Sequence, residues 1–376
     1  MNSSLECVYR AIHFQYPERV PIMHSILPSA WYRYGEDLFQ IINRYFPPVK
    51  ETDERMAYLV STASRYDYDP RLAHYAFEDD FVFIQPRHFM EGSPHGDGRR
   101  RDEWGCIWHK AEPGISGVVI ESPLSDWQRV NNYRWPDGAA YWRWDPMEIG
   151  QTIQAARQQG KAILGYVGNL FEKMQWLRGY ENFMVDLVDH PERVGLLAEK
   201  ITEFNLQTIK NWQEYDVDIL FLEDDWGTQS GLMVNPRIWR DLFKPLYARL
   251  FEEIHAQGRP LLFHSDGYIL PIIPDLIELG CDILNPQFSC QDIQELARLA
   301  RGRICIMCDI DRQFILPHGT PEQVRQHVQQ TFDLFSSPQG GLIFRGQINS
   351  DCPLENIDVM YRTYKELSHV KDTGTL

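Results

Sequence analysis

The chain has 376 residues, of which 43% are apolar and 24% charged, the balance of a globular protein and not of a disordered one. Its 37 basic and 53 acidic residues leave a formal charge of −16, which argues against nucleic acid or an anionic membrane surface as partner. Seven cysteines scattered between positions 7 and 352 do not read as a disulfide framework, and no run reaches the length of a membrane helix. The N-terminus has no apolar core of a secretory signal. A cytoplasmic protein with a small-molecule substrate is therefore expected.

In chain order, residues 3–15 predict a short amphipathic helix ending before Pro17, and RVPIMHS (19–25) a first strand. A second helix is expected over 50–65, and FVFIQ (81–85) as a second strand stopped by Pro86. From 86 to 145 the regular pattern breaks. Gly, Pro, His and Arg crowd the start, and then DEWGCIWHK and SGVVIESP alternate as a hairpin would. This stretch is expected to be an insertion carrying a small antiparallel element. Its Trp- and Tyr-rich patches at 104–108 and 133–144 suit a pocket lining, a homodimer interface or, most commonly, packing of the insertion onto the main body.

After 146 helices and strands alternate. A helix over 146–158 precedes the strand AILGYVG (162–168), and helical segments fill 180–214, restarting at DHPERV. VDILFL (217–222) is a strand. Asn235-Pro236 opens a helix with Leu242, Leu246, Leu250 and Ile254 on one face, closed by Gly258. Strands at 260–265, 281–285, 303–309 and 341–346 then alternate with helices near 271–279, 291–301, 321–335 and 353–368. Eight short apolar strands, each followed by a helical stretch, predict a single (β/α)₈ (TIM) barrel spanning 1–376, with the insertion between strands two and three. An open doubly wound sheet is the rival, but neither GxGxxG nor GxxxxGK[ST] is present.

A barrel carries its chemistry where strands end, and here those ends are polar. The fourth ends in Glu223-Asp224-Asp225, the fifth in His264-Ser265-Asp266, the sixth in Asn285-Pro286-Gln287, the seventh in Asp309-Ile310-Asp311-Arg312 and the eighth in Arg345-Gly346-Gln347. Alternation sends Glu223 and Asp225 to one side and Asp224 to the other. Crowded carboxylates supply an acid and a base, so Glu223, Asp225 and His264 are the catalytic candidates. The competing use is a helix cap or an arginine pair. His264 and Asp266, two apart, leave a strand on the same face and suit either zinc or proton transfer. Tyr166, Asn169, Gln287, Arg345 and Gln347 are the candidate substrate contacts. Cys305 and Cys308 resemble a CxxC motif but, three apart on a strand, face opposite sides and are expected to be core residues. Cys352 lies in the loop NSDCPLEN, from which a thiolate reaches the barrel mouth.

Taken together, these segments resemble the uroporphyrinogen decarboxylase superfamily, which includes cobalamin-linked methyltransferases. The resemblance rests on PERVPI (17–22) after the Arg10 helix, DEWGCIW (102–108), YRWPD (133–137) and 167–194 with its Pro-Glu-Arg-Val helix start. EDDWGTQSGLMVNPRIW (223–239), FHSDGYI (263–269) and PLENI (353–357) complete it. The resemblance implies a TIM-type barrel with the site at the carboxyl ends. True decarboxylases of the family hold a polyanionic tetrapyrrole with an arginine-rich N-terminal motif. The stretch PIMHSILPSAWYRYGED (21–37) stands there without paired arginines. The methyltransferase branch uses zinc on a His-x-Cys motif and a later cysteine, to activate a thiol that takes a methyl group from a corrinoid. His264 matches that histidine, Asp266 replaces the first cysteine, and Gln347 stands near the later one, with Cys352 a few residues beyond. The resemblance thus implies a methyltransferase-like enzyme using a corrinoid or tetrahydrofolate methyl carrier, with zinc on His264, Asp266 and Cys352, Glu223 being the further option for the third ligand, and a corrinoid protein as partner. A tetrapyrrole decarboxylase is the first alternative and a non-catalytic ligand-binding barrel the second.

Overall fold

The structure is a computed structural model and describes residues 3–48, 79–84, 99–109, 117–138 and 146–368. The helix expected over 50–65 lies outside them. Eleven strands are described: β1 Ile22–Ile26, β2 Phe81–Ile84, β3 Arg99–Arg101, β4 Ile107–His109, β5 Val118–Glu121, β6 Ala162–Gly168, β7 Ile219–Glu223, β8 Leu261–Ser265, β9 Ile283–Pro286, β10 Cys305–Asp309 and β11 Leu342–Ile348. Eight of them form one parallel sheet in the order β1-β11-β10-β9-β8-β7-β6-β2, which is chain order read backwards around a barrel. The expected TIM barrel is the observed fold. The other three, β3-β4-β5, make a separate antiparallel sheet between β2 and β6, where the insertion was expected.

Alternation along each strand splits the apolar residues into two layers. Phe81, Phe83, Leu164, Tyr166, Ile219, Phe221, Leu262, Ile283, Cys305, Met307, Ile343 and Met23 fill the interior. Their neighbours Val82, Ile163, Leu220, Phe263, Leu284, Ile306, Cys308 and Phe344 pack outward under the helices. Strands buried on both faces must read as unbroken apolar runs, which is why the sequence showed them so clearly. The helix Ser4–Ile12 sends Val8 and Ile12 into the interior layer. Cys305 faces in and Cys308 out, so the two sulfurs serve separate layers as expected.

The barrel closes between β1 and β2 mainly through side chains, beside one backbone bond from the Asp80 amide to the Ile22 carbonyl at 3.4 Å. Asp80 Oδ2 accepts from the Ile22 amide at 2.8 Å, and Asp79 Oδ2 from the His24 amide at 3.0 Å. Arg19 in turn forks onto the Asp80 carboxylate. Charge-assisted bonds of this kind hold the seam more strongly than neutral ones.

Several helices differ from expectation, Phe171–Arg178 and Ile315–His318 being additional and two longer ones differing in form. Pro28–Asn43 was not anticipated. Its backbone breaks at Gly35 (φ 46°, ψ −120°), so its apolar residues fall into two short groups, Pro28, Ala30 and Trp31 before the break and Leu38, Ile41 and Ile42 after it. No continuous helical stripe survives that break. The helix opened by Pro236 carries a π-helical turn at Trp239–Phe243 before continuing as Lys244–Ala256. The wider turn rotates the buried face to Trp239, Phe243, Tyr247, Leu250 and Ile254, leaving Leu242 and Leu246 only half-buried.

The aromatic patch at 104–108 packs the insertion onto the barrel. Trp104 meets Phe204 at 4.7 Å, Trp108 meets Trp176 at 4.9 Å, and the Lys173 ammonium lies over the rings of Trp104 and Trp176. The part of the second patch beyond Gly138 lies outside the described residues. Among the described residues no helix is long and apolar enough to cross a membrane.

Candidate active site

Above the apolar interior, the last inward position of several strands is polar. Tyr166, Glu223, His264, Asn285, Asp309, Arg345 and Ser25 continue the inward parity of the residues below them, and they contact one another. The carboxyl end of the barrel is thus floored by a polar ring.

Asp224 anchors this end. Its carboxylate accepts from the amides of Leu170 at 2.7 Å and Glu172 at 2.9 Å and from the Tyr247 hydroxyl at 2.5 Å. The helix-capping use weighed for this acidic run therefore falls to Asp224, on the helix Phe171–Arg178 that follows β6. Burial pushes the Asp224 carboxyl up to about 6 against those three donors. With Asp224 turned outward, Glu223 and Asp225 turn inward. Glu223 Oε1 accepts from the Tyr166 hydroxyl at 2.9 Å.

The loops after β7 and β8 cross in close contact. A Cβ on Gly227 would lie 2.2 Å from the Tyr268 amide nitrogen, and one on Gly267 (φ +77°) 2.0 Å from the Gly227 oxygen. Only glycine allows that approach. The crossing sets Asp225 beside Asp266, whose amide donates to Asp225 Oδ1 at 2.9 Å.

His264, 6% exposed, completes the cluster. Its Nδ1 lies 2.8 Å from Asn285 Oδ1 and 3.0 Å from the Asn285 carbonyl, both acceptors, so Nδ1 carries the hydrogen. The Asn285 amide is itself oriented by donating to the Met307 carbonyl at 2.8 Å. Nε2 then faces the carboxylates, 3.3 Å from Asp266 Oδ1 and 3.9 Å from Asp225 Oδ1. One ligand atom each from Asp225, His264 and Asp266 lies within 4.8 Å of the others. Asp266 Oδ1 is buried and makes no hydrogen bond among the described residues. Two carboxylate oxygens converging on the Nε2 side of an imidazole pinned through Nδ1 suit either a proton on Nε2 or a divalent cation.

Arg312 stands behind the cluster, its side chain 10% exposed. It bonds Asp266 Oδ2 through one nitrogen, and through the other donates to Gln347 Oε1 at 2.7 Å and approaches Asp309 at 3.4 Å. Arg345 approaches the other Asp309 oxygen at 3.5 Å and donates to Ser25 at 3.2 Å. Burial raises the Asp266 carboxyl, but His264 and Arg312 outweigh it and hold the group below its ordinary value. At Asp309 burial prevails over both arginines, and the carboxyl stays raised.

The structure brings together Asp225, His264 and Asp266, and joins Gln347 to them through Arg312. Tyr166 and Glu223 form a neighbouring pair. Gln287 is committed to the loop, its Oε1 accepting from the Gly267 amide at 2.8 Å. Asn169 lies buried at the helix start, its amide donating to Glu172 at 3.2 Å. Cys352 is a correction. Its loop carries the sulfur under the helices in the outer apolar layer, not to the mouth. Burial pushes the thiol up to about 12. Asp225, and not Cys352, is the third group that lies with His264 and Asp266. Asn285 and Arg312 had been noted only as strand-end residues; their roles depend on partners from other strands that spacing along the chain does not show.

Residues 111–367 match the family model described as Uroporphyrinogen decarboxylase (URO-D). A uroporphyrinogen decarboxylase of Xylella fastidiosa is 19% identical over 235 residues, covering 60% of this chain and 64% of that protein. One of Xanthomonas axonopodis pv. citri matches with the same figures. The match thus spans just under two thirds of the length of these curated relatives. Among solved structures, a methyltransferase from Methanosarcina mazei superposes with a TM-score of 0.64 at 12% identity, over 97% of this chain and 99% of that one. At that identity the likeness is one of fold.

Proposed function

The chain belongs to the uroporphyrinogen decarboxylase family, and from that premise we propose that it is a zinc-assisted methyltransferase-like enzyme. It would move a methyl group to or from a corrinoid or tetrahydrofolate carrier, with a corrinoid protein as its partner where the carrier is protein-bound. The observation that carries this reading is the convergence of Asp225, His264 and Asp266 on one point, with Nδ1 of the imidazole tied to Asn285.

These residues fit the ion. Imidazole and carboxylate are both accepted zinc ligands, and three protein ligands leave the open position that catalysis needs. The Asn285 contact is the outer-shell partner that orients a ligating histidine. Asp266 Oδ1 is buried with its acceptor capacity unused. When bound, zinc supplies positive charge that stabilises an electron pair on the substrate heteroatom that gives or takes the methyl group. The chain's own groups do the rest. His264, Asp225 and Asp266 hold the ion, Glu223 with Tyr166 is placed to move a proton at the same face, and Arg345 and Gln347 line the β11 side.

A second reading, decarboxylation of a tetrapyrrole, is favoured by the named activity of the curated relatives. Against it, the two arginines at the site, Arg345 of the polar ring and Arg312 behind it, already face acidic partners, Arg312 at Asp266 and Asp309 and Arg345 at Asp309. A polyanion would have to displace those carboxylates.

The test compares the wild type with His264→Ala. Each is stripped with chelator, reloaded with zinc and measured for bound metal. Each is then assayed with methylcobalamin or methyltetrahydrofolate and a mixture of thiol and alcohol acceptors, and separately for carbon dioxide release from uroporphyrinogen. One zinc per wild-type chain, none in His264→Ala, and zinc-dependent methyl transfer are expected. Equal zinc in both, or none in either, overturns the metal reading. Metal-independent decarboxylation moves the second reading ahead.

A further inference from the structure

The Asp225–His264–Asp266 cluster has a fixed cation beside it. The Arg312 guanidinium is buried, arrives from the loop after β10, and bonds Asp266 Oδ2 while leaving Oδ1 toward His264 Nε2. The same side chain reaches Gln347 Oε1 at 2.7 Å and Asp309 at 3.4 Å. Three strand ends, β8, β10 and β11, are thereby tied through one planar group. Arginine suits this use because its donors form a rigid fork and its charge is permanent.

We propose that Arg312 is a positioning residue that sets both the geometry and the affinity of the cation site. It decides which oxygen of Asp266 is offered to an ion, and its charge limits how tightly the ion is held. This inference rests on the cation reading proposed above.

Two effects of Arg312 oppose each other, and their sizes decide the outcome. Losing an outer-shell partner ordinarily weakens metal binding roughly 10–100-fold. Removing a unit positive charge bonded to the far oxygen of a ligating carboxylate strengthens it by on the order of a thousandfold at an effective dielectric near 20. The charge effect is the larger. Arg312 therefore keeps the site weaker than its two carboxylates would make it, leaving the ion exchangeable and electron-poor.

The test is zinc affinity by competition with a chromophoric chelator, together with the absorption spectrum of the cobalt(II) form. It uses the full chain as wild type, Arg312→Met and Arg312→Lys, with circular dichroism as the check of folding. Arg312→Met is expected to bind zinc at least tenfold more tightly, about 1.4 kcal/mol. Arg312→Lys keeps the charge and is expected to hold wild-type affinity within about threefold. Its cobalt spectrum should still change, because an ammonium cannot bond Asp266 and Gln347 in the same fork. Equal or weaker zinc binding by Arg312→Met overturns the proposal. If that variant does not fold, a wild-type cobalt spectrum in Arg312→Lys overturns it, and an altered spectrum at wild-type affinity supports it. Failure of the wild type to bind zinc at all removes the cation reading and this proposal with it, a different outcome from altered variants failing to differ.

Discussion

Gly227→Ala should dismantle the candidate site without touching any of its functional groups. The position has ordinary backbone angles for any residue, so the substitution adds only a methyl group in a space that holds none. That methyl would sit 2.2 Å from the Tyr268 amide nitrogen and 2.4 Å from the Gly267 carbonyl carbon. Both obstacles are backbone, and neither can rotate away. Reaching an ordinary 3.4 Å contact requires the β7 and β8 loops to part by about 1.2 Å. The Asp266 amide and Asp225 Oδ1, now 2.9 Å apart, would then leave hydrogen-bonding range, and the two ligating carboxylates would separate with them. Overpacking of this severity costs about 3 kcal/mol. A Tm loss of several degrees in differential scanning fluorimetry is expected, with zinc affinity weakened roughly 10–100-fold. Gly258→Ala is the control. Its φ of +72° strains a side chain by about 1 kcal/mol, but nothing lies within 4 Å of the added methyl and the site is untouched. Wild-type zinc affinity in Gly227→Ala would refute the reasoning that this glycine crossing assembles the cluster.

Three further outcomes follow from the same geometry. Asn285→Leu removes the acceptors' side-chain half from His264 Nδ1 and should weaken zinc binding roughly 10–100-fold in equilibrium dialysis, whereas Asn285→Asp, which keeps an acceptor, should retain most of it. Asp224 binds its proton more tightly folded, at about 6, than unfolded, near the ordinary aspartate value of 3.8. Its contribution is therefore full below the unfolded value and lost as pH rises through about 6. Denaturant titrations should show wild type gaining up to about 3 kcal/mol relative to Asp224→Asn between pH 7 and pH 4, and a pH-independent difference would contradict this. Cys352→Ala should keep full zinc stoichiometry by metal analysis while lowering Tm slightly, as for a small core residue; loss of zinc would return the cysteine to the site.

The architecture was already written in local pattern. Strands such as VDILFL and PLLFHS announce themselves because a barrel strand is covered on both faces, and the residues along its middle are apolar. The helix starts at Pro236 and Pro321 are equally local, since a proline suits a first turn and the preceding Asn235 and Thr320 each accept a backbone amide of the new helix. The polar strand ends, and the pairing of His264 with Asp266, also follow from a period of two, which places alternate side chains on one face whatever the rest of the chain does. Local pattern failed where the backbone left its regular period. The break at Gly35 hid a helix, and the π-helical turn at Trp239–Phe243 rotated another to bury Tyr247.

What only the tertiary structure decided is which of the polar groups meet. In the run Glu223-Asp224-Asp225, three like residues receive three tasks. Asp224 caps a helix from the preceding unit, Glu223 pairs with Tyr166 across β6, and Asp225 joins His264 and Asp266. Cys352 and Asp225 were both chemically eligible ligands. Which of them lies beside His264 and Asp266 was decided by a loop that buries the sulfur in the outer layer, and by two glycines that let neighbouring loops touch. Arg312 and Asn285 act through partners on other strands, separated from them by 46 and 21 positions for Asp266 and His264 respectively. Periodicity reports the face on which a side chain leaves its own strand. The distance between groups on different strands depends on barrel closure, register and loop crossing, which are properties of the whole chain and are not carried by any segment of it.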